Sequence, residues 1–299
     1  MKKFLIINNP NAGRKKAIKY KKFLIKFLLK QNCEFKSITI DELNKDFINW
    51  ADNIVAIGGD GTVNKIIPFI INTEKVLGII PCGTANLLAA KLGISSNIKK
   101  AIKVIANQNI SYIDTLKIND SYSILRLGLG YDSDIICKTP QSLKNNFGYF
   151  AYFLAGILFA LRLKQKKYNI SFEDKKLSIL ATCIIVANSG NMFKNIVSIS
   201  NHCRLEDGKF DVFILKVKNP IMFFFEFLMI LFNKKLSNSK AIYFQTSEFL
   251  IKNDFITGHI DGEKRKFKGD IEINIAPKSI KVFSTFKLPF VNSKCHYNN

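Results

Sequence analysis

Three times in the first third of the chain, a short apolar run enters a turn rich in Gly, Asn and Pro and leaves it with helical periodicity. Lys3 to Asn8 leads into Asn9-Pro10-Asn11-Ala12-Gly13. The stretch Arg14 to Gln31 then sets Ala17, Tyr20, Phe23, Leu24, Phe27 and Leu28 on one helical face. Asn53 to Ile57 enters Gly58-Gly59-Asp60-Gly61-Thr62-Val63-Asn64, with Thr62 to Ile71 helical. Val76 to Ile80 enters Pro81-Cys82-Gly83-Thr84-Ala85-Asn86, with Gly83 to Leu92 helical, and Glu34 to Ile40 reads as one more strand. Strands that are apolar throughout must be covered on both faces, and helices between them provide that cover. The pattern predicts a three-layer α/β domain with a parallel sheet.

After Ser111 the grammar changes. Tyr112 to Ile118, Tyr122 to Leu129, Leu177 to Ala187, Asp211 to Val217, Ala241 to Phe244, Glu248 to Ile251, Asp270 to Ile275 and Ile280 to Phe286 are short strand candidates between polar turns. Helical inserts fall at about Leu143 to Leu163 and Pro220 to Asn233. Such a series predicts a mainly antiparallel second domain, a sandwich or an open barrel, with the boundary near Asn119.

Composition narrows the function. The 299 residues carry a formal net charge of +22, but arginine stands at only five positions, so lysine-rich codon drift explains the excess as well as an anionic partner does. The anionic partners to weigh are lipid and nucleic acid. Six scattered cysteines without a CxxC pair support neither a zinc site nor a disulfide framework. The N-terminal apolar stretch, Phe4 to Ile7, is too short for a signal-peptide core, and no run reaches the ~18 to 20 apolar residues of a membrane-spanning helix. The expectation is a cytoplasmic protein, soluble or peripheral to the inner face of the membrane.

The glycines after the third strand-like run, Gly58, Gly59 and Gly61, let backbone N–H groups approach an anion, and the following helix adds a favourable field for phosphate. The turn lacks the spacing of a Walker loop or of a GxGxxG dinucleotide loop. Asp60 would repel phosphate unless a cation lies between them, so its presence predicts Mg²⁺ bridging to phosphate oxygens. The alternative is a tight turn with Asp60 capping the helix. Thr62 and Thr84 suit either a phosphate contact or a cap. All three turns follow strands of one open sheet, so they should converge on one site at the carboxyl ends.

At these residues the chain resembles the diacylglycerol kinase catalytic-domain family, bacterial soluble lipid kinases similar to sphingosine and ceramide kinases. The resemblance rests on NPNAG (9–13), GGDGTVN (58–64), PCGTANLLA (81–89), GLGYDSDII (128–136), LEDGKFDVFIL (205–215) and DGE (261–263), in family order. GGDGT alone is shared with NAD kinases; the other motifs together belong to the lipid kinase side. Departures include Leu87-Leu88 after Asn86 and Leu125-Arg126 before the GLGYD segment.

The resemblance implies ATP- and Mg²⁺-dependent transfer of phosphate to a lipid hydroxyl, of diacylglycerol or a related glycerolipid or sphingoid. It also implies a nucleotide-binding domain over 1–118, a β-rich substrate and metal domain over 119–283, and a short segment 284–299 that can return to the first domain. Asn9, Pro10, Asn11, Ala12, Gly13, Thr39, Gly58, Gly59, Asp60, Gly61, Thr62, Val63, Asn64, Gly83, Thr84 and Asn86 match nucleotide-binding positions. Glu263 matches the catalytic base. Asp207, with main-chain contacts from about Arg204 and Lys209, matches a structural metal site, and Asp114 an acidic position near the active-site metal. On an extended segment Asp261 and Glu263 would point the same way, leaving Asp60, Asp114 and Asp261 for metal and Glu263 for the proton. Taken alone, Asp-Gly-Glu also suits an ordinary hairpin turn.

Lys15, Lys19, Lys22, Lys26 and Lys30 form a stripe that is either a solvated helix face or a contact for anionic headgroups. The Phe-rich run Ile221 to Phe232 is either core or an apolar ridge beside the cleft. The expected partners are a lipid substrate at the membrane surface and an anionic membrane, with no nucleic acid; a homodimer stays open. The rival readings are a kinase of a soluble nucleotide such as NAD, and a non-catalytic basic protein that binds nucleotide or lipid.

Overall fold

The structure, a computed structural model, describes residues 2–13, 16–138, 164–188, 191–193, 197–198, 205–222, 225 and 240–285. The first part of the chain alternates as β1 (Lys3–Asn8), α1 (Lys16–Lys30), β2 (Glu34–Thr39), α2 (Lys45–Trp50), β3 (Asn53–Gly58), α3 (Asp60–Ile70), β4 (Val76–Pro81), α4 (Leu87–Lys91) and α5 (Ile98–Asn107). β2, β1, β3 and β4 lie side by side and parallel. β3 and β4 are buried at every position, because helices cover both faces and no polar alternation is needed.

β5 (Ile110–Ile118), β6 (Ser121–Ser123), β7 (Arg126–Gly130) and α6 (Tyr131–Lys138) follow. Then come β8 (Lys166–Phe172), β9 (Lys175–Ala181), β10 (Cys183–Ala187), β11 (Asn191–Phe193) and β12 (Val197–Ser198). The series ends with β13 (Phe210–Leu215), β14 (Ala241–Thr246), β15 (Glu248–Lys252), β16 (Phe255–Ile260), β17 (Glu263–Lys268) and β18 (Ile271–Phe283). A six-stranded antiparallel sheet runs β14-β13-β10-β7-β16-β17. It packs on β5, β8, β15 and β18 through a core that includes Leu127, Ile184, Phe210, Phe249 and Ile271. The second domain is therefore a β-sandwich.

The two domains share a sheet. β18 is one 13-residue strand where the sequence suggested two. Its end pairs parallel with β4 (Lys281↔Val76, Val282↔Leu77), while most of its length pairs antiparallel with β5. The sheet of the first domain is thus mixed, and β18 lies between β4 and β5, which are neighbours in sequence. A register shift between Ala276 and Ile280 turns the strand from one domain into the other. Ile280, Val282 and Phe283 join the first core, while Ile271 and Ile273 join the second.

Other expectations are adjusted. On α1, Ala17, Leu24 and Leu28 are buried, but Phe23, expected on the same face, is 40% exposed. β8, β16 and β17 were absent from the expected strands. Arg204, Arg14, Lys15, the insert 143–163, most of the Phe-rich run and residues 286–299 lie outside the described residues. Among the described residues, no helix is long and apolar enough to cross a membrane.

Candidate active site at the meeting of three loops

The three turns that end β1, β3 and β4 touch one another. Gly13, at φ +60°, has no room for a side chain, since a Cβ there would fall 2.1 Å from the Cys82 carbonyl oxygen. The Cys82 N–H donates to the Gly58 carbonyl at 2.9 Å, and the Asn9 N–H to the Ile57 carbonyl at 3.1 Å. Gly59 faces Gly83. Asn86 closes its own loop, accepting from the Gly83 N–H at 2.9 Å and donating to the Gly83 carbonyl at 2.8 Å.

The glycines of the second loop do not all serve an open cradle. A Cβ at Gly58 would meet the Thr62 hydroxyl at 2.2 Å, and Thr62 is itself buried. Val63 belongs to the first core, and its N–H donates to the Gly59 carbonyl. Thr62 and Val63 are therefore packing residues, and of the three glycines only Gly61 has no atom within 4 Å of its missing side chain. Thr84, Asn11 and Gly61 are exposed at the rim, with Asn9, Pro10, Ala12, Gly83 and Asn64 half-buried. Thr39 ends β2 opposite Asn8, and its hydroxyl donates to Glu42 at 2.8 Å.

The loops also hold polar groups without internal partners. α3 begins at Gly59, which gives it no side-chain cap. Asn64 Nδ2 and Asn8 Oδ1 are buried with no hydrogen-bond partner among the described residues. Uncapped helical N–H groups and the Asn64 amide N–H donors fit a phosphate-bearing ligand, whereas Asn8 Oδ1, an acceptor, calls for a donor instead.

Asp60 does not cap its own helix through its side chain. Its carboxylate accepts from the N–H groups of Leu87 and Leu88 at 3.1 and 3.2 Å, the first two residues of α4. Burial pushes the Asp60 carboxyl above its ordinary range against those hydrogen bonds, and the nearby Asp261 adds a like charge.

Asp261 comes from the second domain, and its geometry corrects the expected one. Ile260 pairs with Glu263, leaving Asp261 and Gly262 as a two-residue turn between β16 and β17, at φ 50° and 92°. The segment is a hairpin turn, and the two carboxylates part company there. Asp261 is half-buried, while the Glu263 side chain is 50% exposed, 3.7 Å from Arg265. The Asp261 carboxylate accepts from the Ser123 hydroxyl and from the N–H groups of Ile124, Leu125 and Arg126 at 2.6 to 3.0 Å. With four donors on it, Asp261 clamps the crossover between the domains; it is not an open metal ligand.

Asp114 is likewise committed. Its carboxylate accepts from the Gly208 N–H at 2.8 Å and from the Lys278 N–H at 2.7 Å, inside the irregularity of β18. Burial pushes this carboxyl up, opposed by the same two N–H groups. Asp114 therefore stitches β5 to β18 and to the turn holding Asp207, which is exposed and accepts from the Lys209 N–H at 3.1 Å. Among the described residues, no three His, Cys, Asp or Glu side chains cluster as a metal site.

Sequence reasoning missed a buried chain behind the turn. His259 Nε2 lies 2.7 Å from Asp132 Oδ2, Arg126 Nη1 lies 3.5 Å from Asp132 Oδ1, and the Gly262 N–H donates to His259 Nδ1 at 3.2 Å. Burial would raise the Asp132 carboxyl, but Arg126 and His259 hold it down at about 2. The available signal was the GLGYD segment that supplies Asp132; nothing in the sequence pairs it with His259.

Comparison with known proteins follows this geometry. The family description "Diacylglycerol kinase catalytic domain" matches residues 3–118, and "YegS C-terminal NAD kinase beta sandwich-like domain" matches residues 126–284. The chain is 28% identical to a diacylglycerol kinase of Bacillus subtilis over 279 residues, 88% of this chain and 90% of that protein. It is 27% identical over 241 residues to an uncharacterized Synechocystis protein, covering 77% of this chain but only 54% of that one. A solved diacylglycerol kinase structure from Bacillus anthracis has the same fold, with TM-score 0.72 at 19% identity over 95% of this chain and 97% of that one.

Proposed function

The chain belongs to the diacylglycerol kinase catalytic-domain family, and from that premise we propose that it transfers the γ-phosphate of ATP to the hydroxyl of a diacylglycerol-like lipid. The observation that carries the reading is that Asp261, on the sandwich hairpin, is hydrogen-bonded to Ser123, Ile124, Leu125 and Arg126, of which Ile124 and Leu125 pack into the core of the three-loop domain. In this reading the exposed Glu263, two residues further along the hairpin, faces the acceptor.

In this reading the N-terminus of α3, Gly61 and the loops from Asn9 to Gly13 and Gly83 to Asn86 hold the phosphates. Asp60 is the residue of this chain that would hold a divalent cation, using the carboxylate positions that Leu87 and Leu88 leave free. When bound, the cation neutralises charge on the phosphate oxygens. Glu263 takes the proton of the lipid hydroxyl as it attacks. Asp207 and the backbone around it remain the candidate for a structural metal, with Asp114 fixing their turn. Arg204, the other residue proposed for that site, lies outside the described residues.

The acceptor lies in a membrane, so the enzyme works at its surface. α1 turns Lys19, Lys22, Lys26 and Lys30 outward together with Ile18, Phe23 and Leu29, which are 40 to 60% exposed. Lysines flanked by apolar side chains, with no acid in the helix, suit an anionic bilayer on the cytoplasmic side. The test is purified protein with Mg²⁺ and γ-labelled ATP against diacylglycerol, monoacylglycerol, phosphatidylglycerol, sphingoid bases and NAD. Label in a lipid is expected; label in NAD alone overturns the reading.

A further inference from the structure

The two-residue turn between β16 and β17 carries Asp-Gly at positive φ, the residues such a turn prefers, and needs no further support to form. Yet a chain of buried polar groups is built behind it. His259 is fully buried, and Gly128 is the only residue type that fits beside it, since a Cβ there would fall 2.0 Å from Asp132 Oδ2 and 2.2 Å from His259 Nε2. Burying an arginine, a carboxylate and an imidazole together costs more than apolar packing of the same volume.

The hydrogen bonds give the chain a direction. The Gly262 N–H donates to Nδ1, so Nδ1 carries no proton and Nε2 donates to Asp132. Arg126 holds the far side of Asp132, and its own N–H and carbonyl both pair with Asp261. The turn is therefore gripped on both sides from Arg126, once through Asp261 and once through Asp132 and His259. The last group on the second path is the Asp261–Gly262 peptide, at the centre of the turn that leads into Glu263.

We infer that Asp132 and His259 are positioning residues that fix the Asp261–Gly262 peptide, one residue before Glu263, and so aim the Glu263 carboxylate at the acceptor hydroxyl. The inference rests on Glu263 being the base. His259 touches neither substrate nor nucleotide and acts through Gly262 alone, and a shift of the base by a fraction of an ångström is enough to slow transfer.

The test compares His259→Gln, whose amide can reach Asp132 but not Gly262, with His259→Asn, whose amide oxygen stands near the Nδ1 position. The expected result for His259→Gln is a kcat down about tenfold or more with the KM for ATP within about twofold of wild type, and partial recovery in His259→Asn. A folded His259→Gln with wild-type kcat, or losses in kcat and KM that simply track lost stability, overturns the inference. ¹⁵N NMR of the wild-type imidazole decides the hydrogen-bond chain without any assay of activity. A proton on Nε2 supports it and a proton on Nδ1 overturns it, even should the protein phosphorylate no lipid.

Discussion

Gly59 and Gly83 stand face to face where two of the loops meet: a Cβ at Gly83 would fall 2.5 Å from the Cα of Gly59, backbone against backbone. Replacing Gly83 with Ala must push the loops apart, which costs about 1–3 kcal/mol as overpacking. Gly83→Ala is therefore expected to lower the urea midpoint and to weaken ATP binding together. Gly61→Ala has no clash and is expected to keep stability within about 0.5 kcal/mol while still weakening ATP. Urea titration and nucleotide calorimetry on both variants check this; a Gly61→Ala protein with wild-type affinity would remove Gly61 from the phosphate site.

Asp261→Asn separates a clamp from a metal ligand. An amide keeps one acceptor oxygen and turns N–H groups toward donors from Ser123, Ile124, Leu125 and Arg126. Stability should fall by about 2–3 kcal/mol, since buried donors are left unmatched. An unchanged urea midpoint with lost activity would restore the metal role.

Much of the α/β domain was legible because glycines after buried strands leave a strong pattern, and the convergence of the loops follows from one parallel sheet. The hairpin turn was legible as one reading of Asp-Gly-Glu, but its strands were not: β17, Glu-Lys-Arg-Lys-Phe-Lys, lies at a sheet edge with most side chains in water, so no apolar alternation marks it. Nor was the clamping role of Asp261, which accepts from backbone N–H groups 135 to 137 residues away that any sequence could supply. The path of β18 between β4 and β5 escaped for the same reason. Its pairing is set by a bend that Asp114 stabilises from another strand.

The pH dependence of stability should carry the signature of Asp132. Its carboxyl is held at about 2 in the fold, below the ordinary aspartate range, by Arg126 and His259. A depressed carboxylate stabilises the fold fully above its unfolded pKa and loses that contribution as pH falls through the folded one. Wild type should therefore lose stability between about pH 4 and 2 more steeply than Asp132→Asn. Urea midpoints across that range are the measurement, and parallel profiles for the two proteins would contradict the assignment.

The lysine face of α1 should make membrane binding selective for charge. Each lysine near an anionic surface contributes ~1 kcal/mol, so Lys19, Lys22, Lys26 and Lys30 changed together to Gln should weaken binding by well over about tenfold. Vesicle flotation with anionic and neutral liposomes reads this directly. Equal recovery of wild type on both would refute electrostatic docking.

The proposed phosphate transfer depends on Glu263 acting as the base. The most direct measurement is the rate of labelled phosphate transfer from ATP into diacylglycerol by Glu263→Gln, read beside its affinity for ATP. Transfer lost by about a hundredfold or more with ATP binding intact is the predicted result; a Glu263→Gln enzyme with near-normal rate would contradict it.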